Sequence, residues 1–157
     1  MAGRVNAIAE ACYAWEAMYV EPKARAILSR DQCRGLVKSV AMRENMPIPK
    51  VEFMSVDNLP CYARVDTWSV HIADWGHTPV TILHEMAHLA TLQALLKGED
   101  PHGPAFVAKC IDYYHHFLRI PIEPMKAGAR KFGLKIGDTL CTYTFRPKDH
   151  QFDDLEF

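Results

Sequence analysis

Hydrophobic residues near the start of the chain recur at intervals of three and four, which is the spacing of one helix face. The repeat comprises Ile8, Cys12, Trp15 and Tyr19. It predicts a helix over residues 5–20, which ends at Glu21 because a proline follows and disfavours helical backbone there. A second helix is predicted to begin near Ser29 or Asp31, either of which can cap it, and to run towards Glu44.

Short runs rich in β-branched and aromatic residues come next, with turn-forming residues between them. They predict three strands, Val51–Ser55, Cys61–Val65 and Ser69–Ala73. We expect the stretch from Ser69 to Trp75 to be an edge strand, along which an extended peptide can add as a further strand.

The second half of the chain returns to helical spacing. Thr78 followed by Pro79 is typical of a helix start, and one continuous helix is predicted from Pro79 to about Lys97, where Gly98 ends it. Three further elements are predicted: a helix from Gly103-Pro104 to about Arg119, a helix over Pro124–Lys131 and a strand over Thr139–Phe145.

This order of elements predicts an α+β fold: N-terminal helices, a small three-stranded sheet, then a long helix and a following helix. At 157 residues the chain has the length of one domain. We assign residues 1–120 to the core and residues 121–157 to a C-terminal extension packed on it. The acidic end of that extension is expected to be a loose tail.

Composition excludes several classes of protein. The chain has 18 basic and 19 acidic residues and is 49% hydrophobic, which is typical of a folded domain and not of a globally basic nucleic-acid binder. Five widely spaced cysteines without a Cys-x-x-Cys pair argue against a disulfide scaffold and a cysteine-ligated zinc ribbon. With no run of about 18 apolar residues and no signal-peptide core, we expect a cytoplasmic protein without a membrane span.

Charge is unevenly distributed along the chain. Seven basic and two acidic residues lie between positions 119 and 148, which gives this segment a net charge of +5 in a chain of net charge −1. One interpretation of this basic segment is a solvent-exposed face with no binding role. The alternative hypothesis is that it forms a surface that binds nucleic acid or another acidic partner.

The predicted long helix contains His84-Glu85-Met86-Ala87-His88, which is the H-E-x-x-H pattern. Residues four apart lie nearly one above the other on a helix, so His84 and His88 can hold one metal ion, which we predict to be Zn²⁺. Glu85 is rotated by about 100° from His84 and lies beside the open position of the metal. There its carboxylate can take a proton from water, so Glu85 is the predicted catalytic base.

A hydrolytic zinc site needs a third protein ligand. Thr91 and Ala94 stand where a metzincin would have glycine and histidine, which excludes that class. The remaining candidates are Glu99, Asp100, His102 and Asp112. The helix carries the chain roughly 13 Å beyond His88, and the next five residues can span about 16 Å on the way back. This reach favours His102, with Asp112 as the fallback or as a group that orients a ligand.

The segment HEMAHLATLQALLKGEDPHGPAF resembles the core of SprT-like zinc metallopeptidases and related phage-type metallopeptidases. In that family H-E-x-x-H is followed by a third histidine in an H-G-P-x-F context. The resemblance implies that His84, His88 and His102 bind zinc, that Glu85 is the catalytic acid/base, and that the domain is zincin-like. Many members carry a cysteine zinc ribbon after the catalytic part, and this chain has none.

The function expected from these residues is zinc-dependent hydrolysis of peptide bonds in a protein or peptide substrate. A second hypothesis, from the resemblance and the basic segment 119–148, is a SprT-like protease that acts on DNA-associated proteins. A third is a non-catalytic regulatory module with a structural zinc, which would be closed by a fourth protein ligand. Candidates for stabilising an oxyanion lie on the following helix: Tyr113, Tyr114 and His115.

Overall fold

The computed structural model describes residues 6–55 and 59–138, and its elements confirm the α+β class. Within those ranges there are six helices: α1 (Ala7–Tyr19), α2 (Arg30–Glu44), α3 (Pro79–Ala90), α4 (Leu92–Leu96), α5 (Pro104–Leu118) and α6 (Ile122–Lys131). The strands are β1 (Lys50–Met54), β2 (Tyr62–Arg64) and β3 (Ser69–Ala73), and short 3₁₀ turns span Glu21–Lys23 and Asp74–Gly76. The strand predicted over Thr139–Phe145 and the acidic tail lie outside the described residues.

Side-chain caps fix the starts of the first two helices. The side chain of Asn6 accepts hydrogen bonds from the backbone amides of Ile8 and Ala9 in the first turn of α1. Ser29, and not Asp31, caps α2. Its Oγ accepts from the Gln32 amide at 3.1 Å while the Gln32 side chain accepts from the Ser29 amide at 2.8 Å, a reciprocal capping box.

The sheet has the strand order β1-β3-β2, with β1 parallel and β2 antiparallel to β3. The prediction that Ser69 to Trp75 forms an edge strand is therefore wrong, because β3 is the central strand and Asp74–Gly76 turns away from it. The alternation of apolar and polar residues in β3 is compatible with an edge strand and with a central strand. The pattern shows which face of the strand is buried, but it does not show whether one or two neighbouring strands pair with it.

Helix α3 lies at the centre of the fold, with every residue buried except Thr81. It packs against α2 and α5 and lies beside β2. The continuous helix predicted as far as Lys97 is wrong, because α3 ends at Ala90 and the short α4 follows. The hydroxyl of Thr91 donates to the Ala87 carbonyl at 2.7 Å, a back-bond that competes with regular helix geometry.

Helix α6 packs on both α1 and α5. The Trp15 indole Nε1 donates to the Met125 carbonyl at 3.0 Å, and Gly128 leaves room for the Tyr19 ring. The division of the chain near residue 120 stays a prediction. In the part of the chain that the structure describes, no helix is both long and apolar enough to cross a membrane.

Candidate metal centre

Three buried histidines converge at one face of α3. His84 and His88 lie one turn apart on α3, and His102 stands in the turn that precedes α5. Their ligand nitrogens all lie within 4.8 Å of one another, and Nε2 of His102 is 3.4 Å from Nε2 of His84. The three side chains therefore lie close enough to bind one metal ion.

The loop between α4 and α5 returns His102 to this cluster. Gly98 adopts a φ of +92°, which permits the chain to reverse after α4. Asp100 then fixes the loop, because its Oδ1 accepts from the His102 amide at 2.9 Å and its Oδ2 accepts from the Asn6 side chain at 2.6 Å. A side chain at Gly103 would meet the Asp100 carbonyl at 2.9 Å, so glycine is needed for this tight return.

The other acidic candidates for the third ligand have different partners. Asp112 pairs with Arg43 of α2 at 3.1 Å, and the Glu99 carboxylate accepts from the Ala105 amide at 3.3 Å. Asp100 holds the loop, as described above. Among the described residues, His102 is the candidate that joins His84 and His88 in the cluster.

Glu16 of α1 holds His84 from the side away from the cluster. Its two carboxylate oxygens lie 2.8 and 3.0 Å from Nδ1 of His84, and its Oε1 also accepts from the Tyr114 hydroxyl. Glu16 is only 4% exposed. A carboxylate on one imidazole nitrogen fixes the tautomer and leaves the other nitrogen free for a metal, so Glu16 is the orienting partner of the proposed ligand.

Burial and charge separate the pKa values of the three imidazoles. Burial alone lowers the pKa of His84, but the charge and hydrogen bond of Glu16 outweigh it and raise that pKa to about 9. Burial, with the positive charge of His84, lowers the pKa of His102 to about 4 and that of His88 well below its ordinary value. Two imidazoles are thus neutral at pH 7, and metal binding has to displace the proton of the third.

Glu85 lies beside the cluster and is 5% exposed. Its Oε2 is buried and makes no hydrogen bond with the residues that the structure describes. Burial raises the pKa of this carboxyl to about 7, with the charge of His84 opposing the shift and that of Glu16 adding to it. A buried carboxyl with a pKa near neutrality is suited to general acid–base catalysis.

A cleft of about 700 Å³ opens onto the cluster. His84, Glu85 and His102 lie in its wall, together with Tyr13 of α1 and Trp75 after β3. Both aromatic residues are about half exposed. The cleft gives a ligand access to the histidines and to the Glu85 carboxylate, and its rim offers aromatic surface.

A second group of potential donors, Cys12, Glu16 and His84, has its ligand atoms within 4.8 Å of one another. It is less suited to a metal, because Glu16 already binds Nδ1 of His84. In addition, burial and the charge of Glu16 raise the pKa of the Cys12 thiol, whereas metal ligation requires the thiolate.

Two residues of this site were missed by the sequence analysis, Glu16 and Tyr13. Glu16 could have been found from the sequence, because it lies four residues after Cys12 and its carboxylate is therefore on the apolar face of the predicted first helix. The three residues considered for oxyanion stabilisation are engaged elsewhere: Tyr114 with Glu16, Tyr113 with Glu44 at 2.8 Å, and His115 with the Ile120 carbonyl at 2.9 Å.

The cluster fits a metal ion by its donor set as well as by distance. Imidazole nitrogens suit zinc and several other transition metals, and two of the three rings are neutral without a metal. The cluster offers three potential protein ligands among the described residues, which is the number typical of catalytic zinc sites. No protein-family model, curated protein or solved structure matches the chain, so the functional argument depends on these residues and their geometry.

Proposed function

We propose that the protein is a zinc-dependent metallopeptidase with a zincin-like site. The observation that carries this proposal is the buried Glu85 carboxylate, with one unpartnered oxygen, beside three clustered histidines at the wall of an accessible cleft. The resemblance of residues 84–106 to SprT-like metallopeptidases supports the same reading.

In this proposal His84, His88 and His102 would hold a zinc ion, which when bound would act as a Lewis acid that lowers the pKa of water and polarises a carbonyl. The protein's own groups move the protons and fix the geometry. Glu85 takes a proton from the attacking water and delivers it to the departing amine, and a pKa near 7 suits both steps. Glu16 keeps Nδ1 of His84 protonated, so that Nε2 faces the cluster.

The edge available for an extended substrate is β2 and not β3, because β2 is the outer strand beside α3. Pro60 and Cys61, which lead into β2, line the cleft with Glu85. We propose that a peptide lies along this side of the cleft and presents its carbonyl to the histidine cluster.

The test combines metal analysis with hydrolysis of an unfolded casein. The zinc-loaded protein is expected to bind one zinc per chain and to cleave the casein, and Glu85→Gln is expected to keep the zinc but lose at least ~99% of the cleavage. Full activity in Glu85→Gln would refute the mechanism. Stoichiometric zinc with four protein ligands by X-ray absorption, and no cleavage, would favour the non-catalytic module.

A narrower form of this function, cleavage of proteins bound to DNA, has one supporting observation. Lys135, from the basic segment, lines a cavity of about 510 Å³ that is also lined by His102. Arg130 and Lys131, a few residues earlier in the sequence, are exposed to solvent. Lys135 is the basic residue that lines this cavity, beside Glu99 and Asp100, and its charge next to the proposed site favours an anionic partner. Affinity for duplex DNA that falls steeply with salt, and falls further in Lys135→Glu, would support this form; no binding at low salt would remove it.

A further inference from the structure

Tyr13 covers the exposed side of the histidine cluster. Its ring stacks on His84, with centroids 5.4 Å apart and planes 18° apart, and it meets His102 edge-on at 5.4 Å. The residue is 50% exposed and shares the cleft wall with Glu85. The ring is thus fixed against two proposed metal ligands while one side of it faces the space that a substrate would occupy.

Helix α1 places Tyr13 and Glu16 against the same imidazole, one on its face and the other at its edge. The two residues are three positions apart and therefore share a helix face. Glu16 binds Nδ1 of His84, Tyr13 packs on the ring face, and both residues line the cleft. One helix face thereby orients the ligand and presents a phenol to the cleft.

The Tyr13 hydroxyl makes no hydrogen bond with the described part of the chain, whereas three other polar side chains of the cleft wall are engaged. The Asn6 amide donates to Asp100, the Trp75 indole donates to the Leu59 carbonyl at 3.0 Å, and the Thr81 hydroxyl accepts from the Thr78 hydroxyl. A tyrosine hydroxyl is a hydrogen-bond donor at neutral pH. Tyr13 therefore offers a free donor at the open side of the cluster.

We propose that Tyr13 is a catalytic residue, whose hydroxyl donates a hydrogen bond to the scissile carbonyl oxygen as that oxygen becomes negatively charged. This inference rests on the proposed peptidase function. Attack of water on a peptide carbonyl converts the C=O double bond to a C–O⁻ single bond, and a donor already aimed at this oxygen stabilises the transition state more than the ground state. Tyr13 fills the role for which the sequence suggested residues of α5.

The test is Tyr13→Phe, which keeps the stacked ring and removes only the donor. Its kcat is expected to fall by about 100-fold, the usual loss for one oxyanion donor, with KM and zinc content unchanged. Tyr19→Phe is the matched control, since Tyr19 lies on the same helix and packs edge-on against another ring, that of Phe132, with centroids 6.3 Å apart, but lies outside the cleft wall. The control is expected to keep wild-type kcat.

A binding measurement separates this inference from the peptidase proposal. A phosphinic pseudodipeptide with phenylalanine and alanine side chains mimics the tetrahedral oxyanion without being cleaved. Calorimetric titration of the zinc-loaded proteins is expected to show at least ~10-fold weaker binding to Tyr13→Phe than to wild type. Equal kcat and equal phosphinate affinity in the two proteins would overturn the role of Tyr13. If wild type binds the phosphinate in a Tyr13-dependent way but cleaves no peptide, the donor role stands and the peptidase proposal fails.

Discussion

Replacement of Glu16 tests whether the site depends on the contact between α1 and α3. The Glu16 carboxylate has both oxygens within 3.0 Å of Nδ1 of His84 and is nearly fully buried. Glu16→Gln keeps an acceptor of the same shape and removes the charge. Glu16→Ala removes the acceptor as well and leaves the His84 and Tyr114 donors without a partner.

The size of the effect follows from the role of the contact. Loss of an orienting partner of a metal-bound histidine typically costs 10- to 100-fold in metal affinity, which corresponds to about 1.4–2.7 kcal/mol. We expect Glu16→Gln to weaken zinc binding by about 10-fold and Glu16→Ala by about 100-fold. The unpaired Tyr114 hydroxyl should also cost Glu16→Ala about 1–3 kcal/mol of folding free energy without metal.

The assay is a zinc titration in competition with a chromophoric chelator, together with urea unfolding of the metal-free proteins. Glu44→Gln is the matched control, because Glu44 is also a buried carboxylate that accepts from a tyrosine of α5, but it contacts Tyr113 and Lys109 away from the cluster. It should lower stability and leave zinc affinity unchanged. A zinc Kd within twofold of wild type in Glu16→Ala would refute the orienting role, and equal weakening in Glu44→Gln would trace the loss to general destabilisation.

Three further predictions concern the third ligand, pH and backbone packing. His102→Ala should not retain stoichiometric zinc by elemental mass spectrometry; full retention would return the role to an acidic residue. Burial raises the pKa of Glu85 from 4.5 to about 7, so ionisation of this carboxyl destabilises the fold as the pH rises through that window. In urea titrations, metal-free Glu85→Gln should therefore match the stability of the wild type near pH 4 and exceed it by up to roughly 3 kcal/mol at pH 8. A difference in stability that does not change with pH would contradict this prediction. In the same titrations Gly128→Ala should lower the free energy of unfolding by about 1–3 kcal/mol, because its Cβ would lie 2.6 Å from the Tyr19 ring. Gly35→Ala, which has open space around it, should raise the free energy of unfolding by about 0.5–1 kcal/mol. Equal effects of the two substitutions would contradict the packing argument.

The local parts of the site were predictable because they depend on short spacings. The turn between His84 and His88 follows from helix geometry, and the return of His102 follows from the length of chain available. The prediction of a continuous helix failed at Thr91 because a side-chain back-bond altered the backbone there. His102 still reaches the cluster despite that failure, since the loop has enough length.

The long-range parts of the fold were not predictable from spacing. Glu16 reaches His84 across 68 positions in sequence, and only tertiary packing brings the two together. The place of β3 in the sheet likewise depends on which strands pair with it, a property that its own five residues do not encode. Sequence patterns predicted which histidines cluster, whereas the residues that support the cluster are brought to it by contacts between distant elements.

The position of α1 couples the docking of this helix to metal binding at the proposed site. This helix contacts α6, through Trp15 and Met125, and the histidine-bearing helix α3, through Glu16 and His84. A state in which α3 and α5 are formed but α1 is undocked would contain the whole histidine motif, with His84 lacking its Glu16 partner. Tight zinc binding should therefore require α1 to be docked, and zinc should slow the hydrogen exchange of amides in α1 as well as in α3.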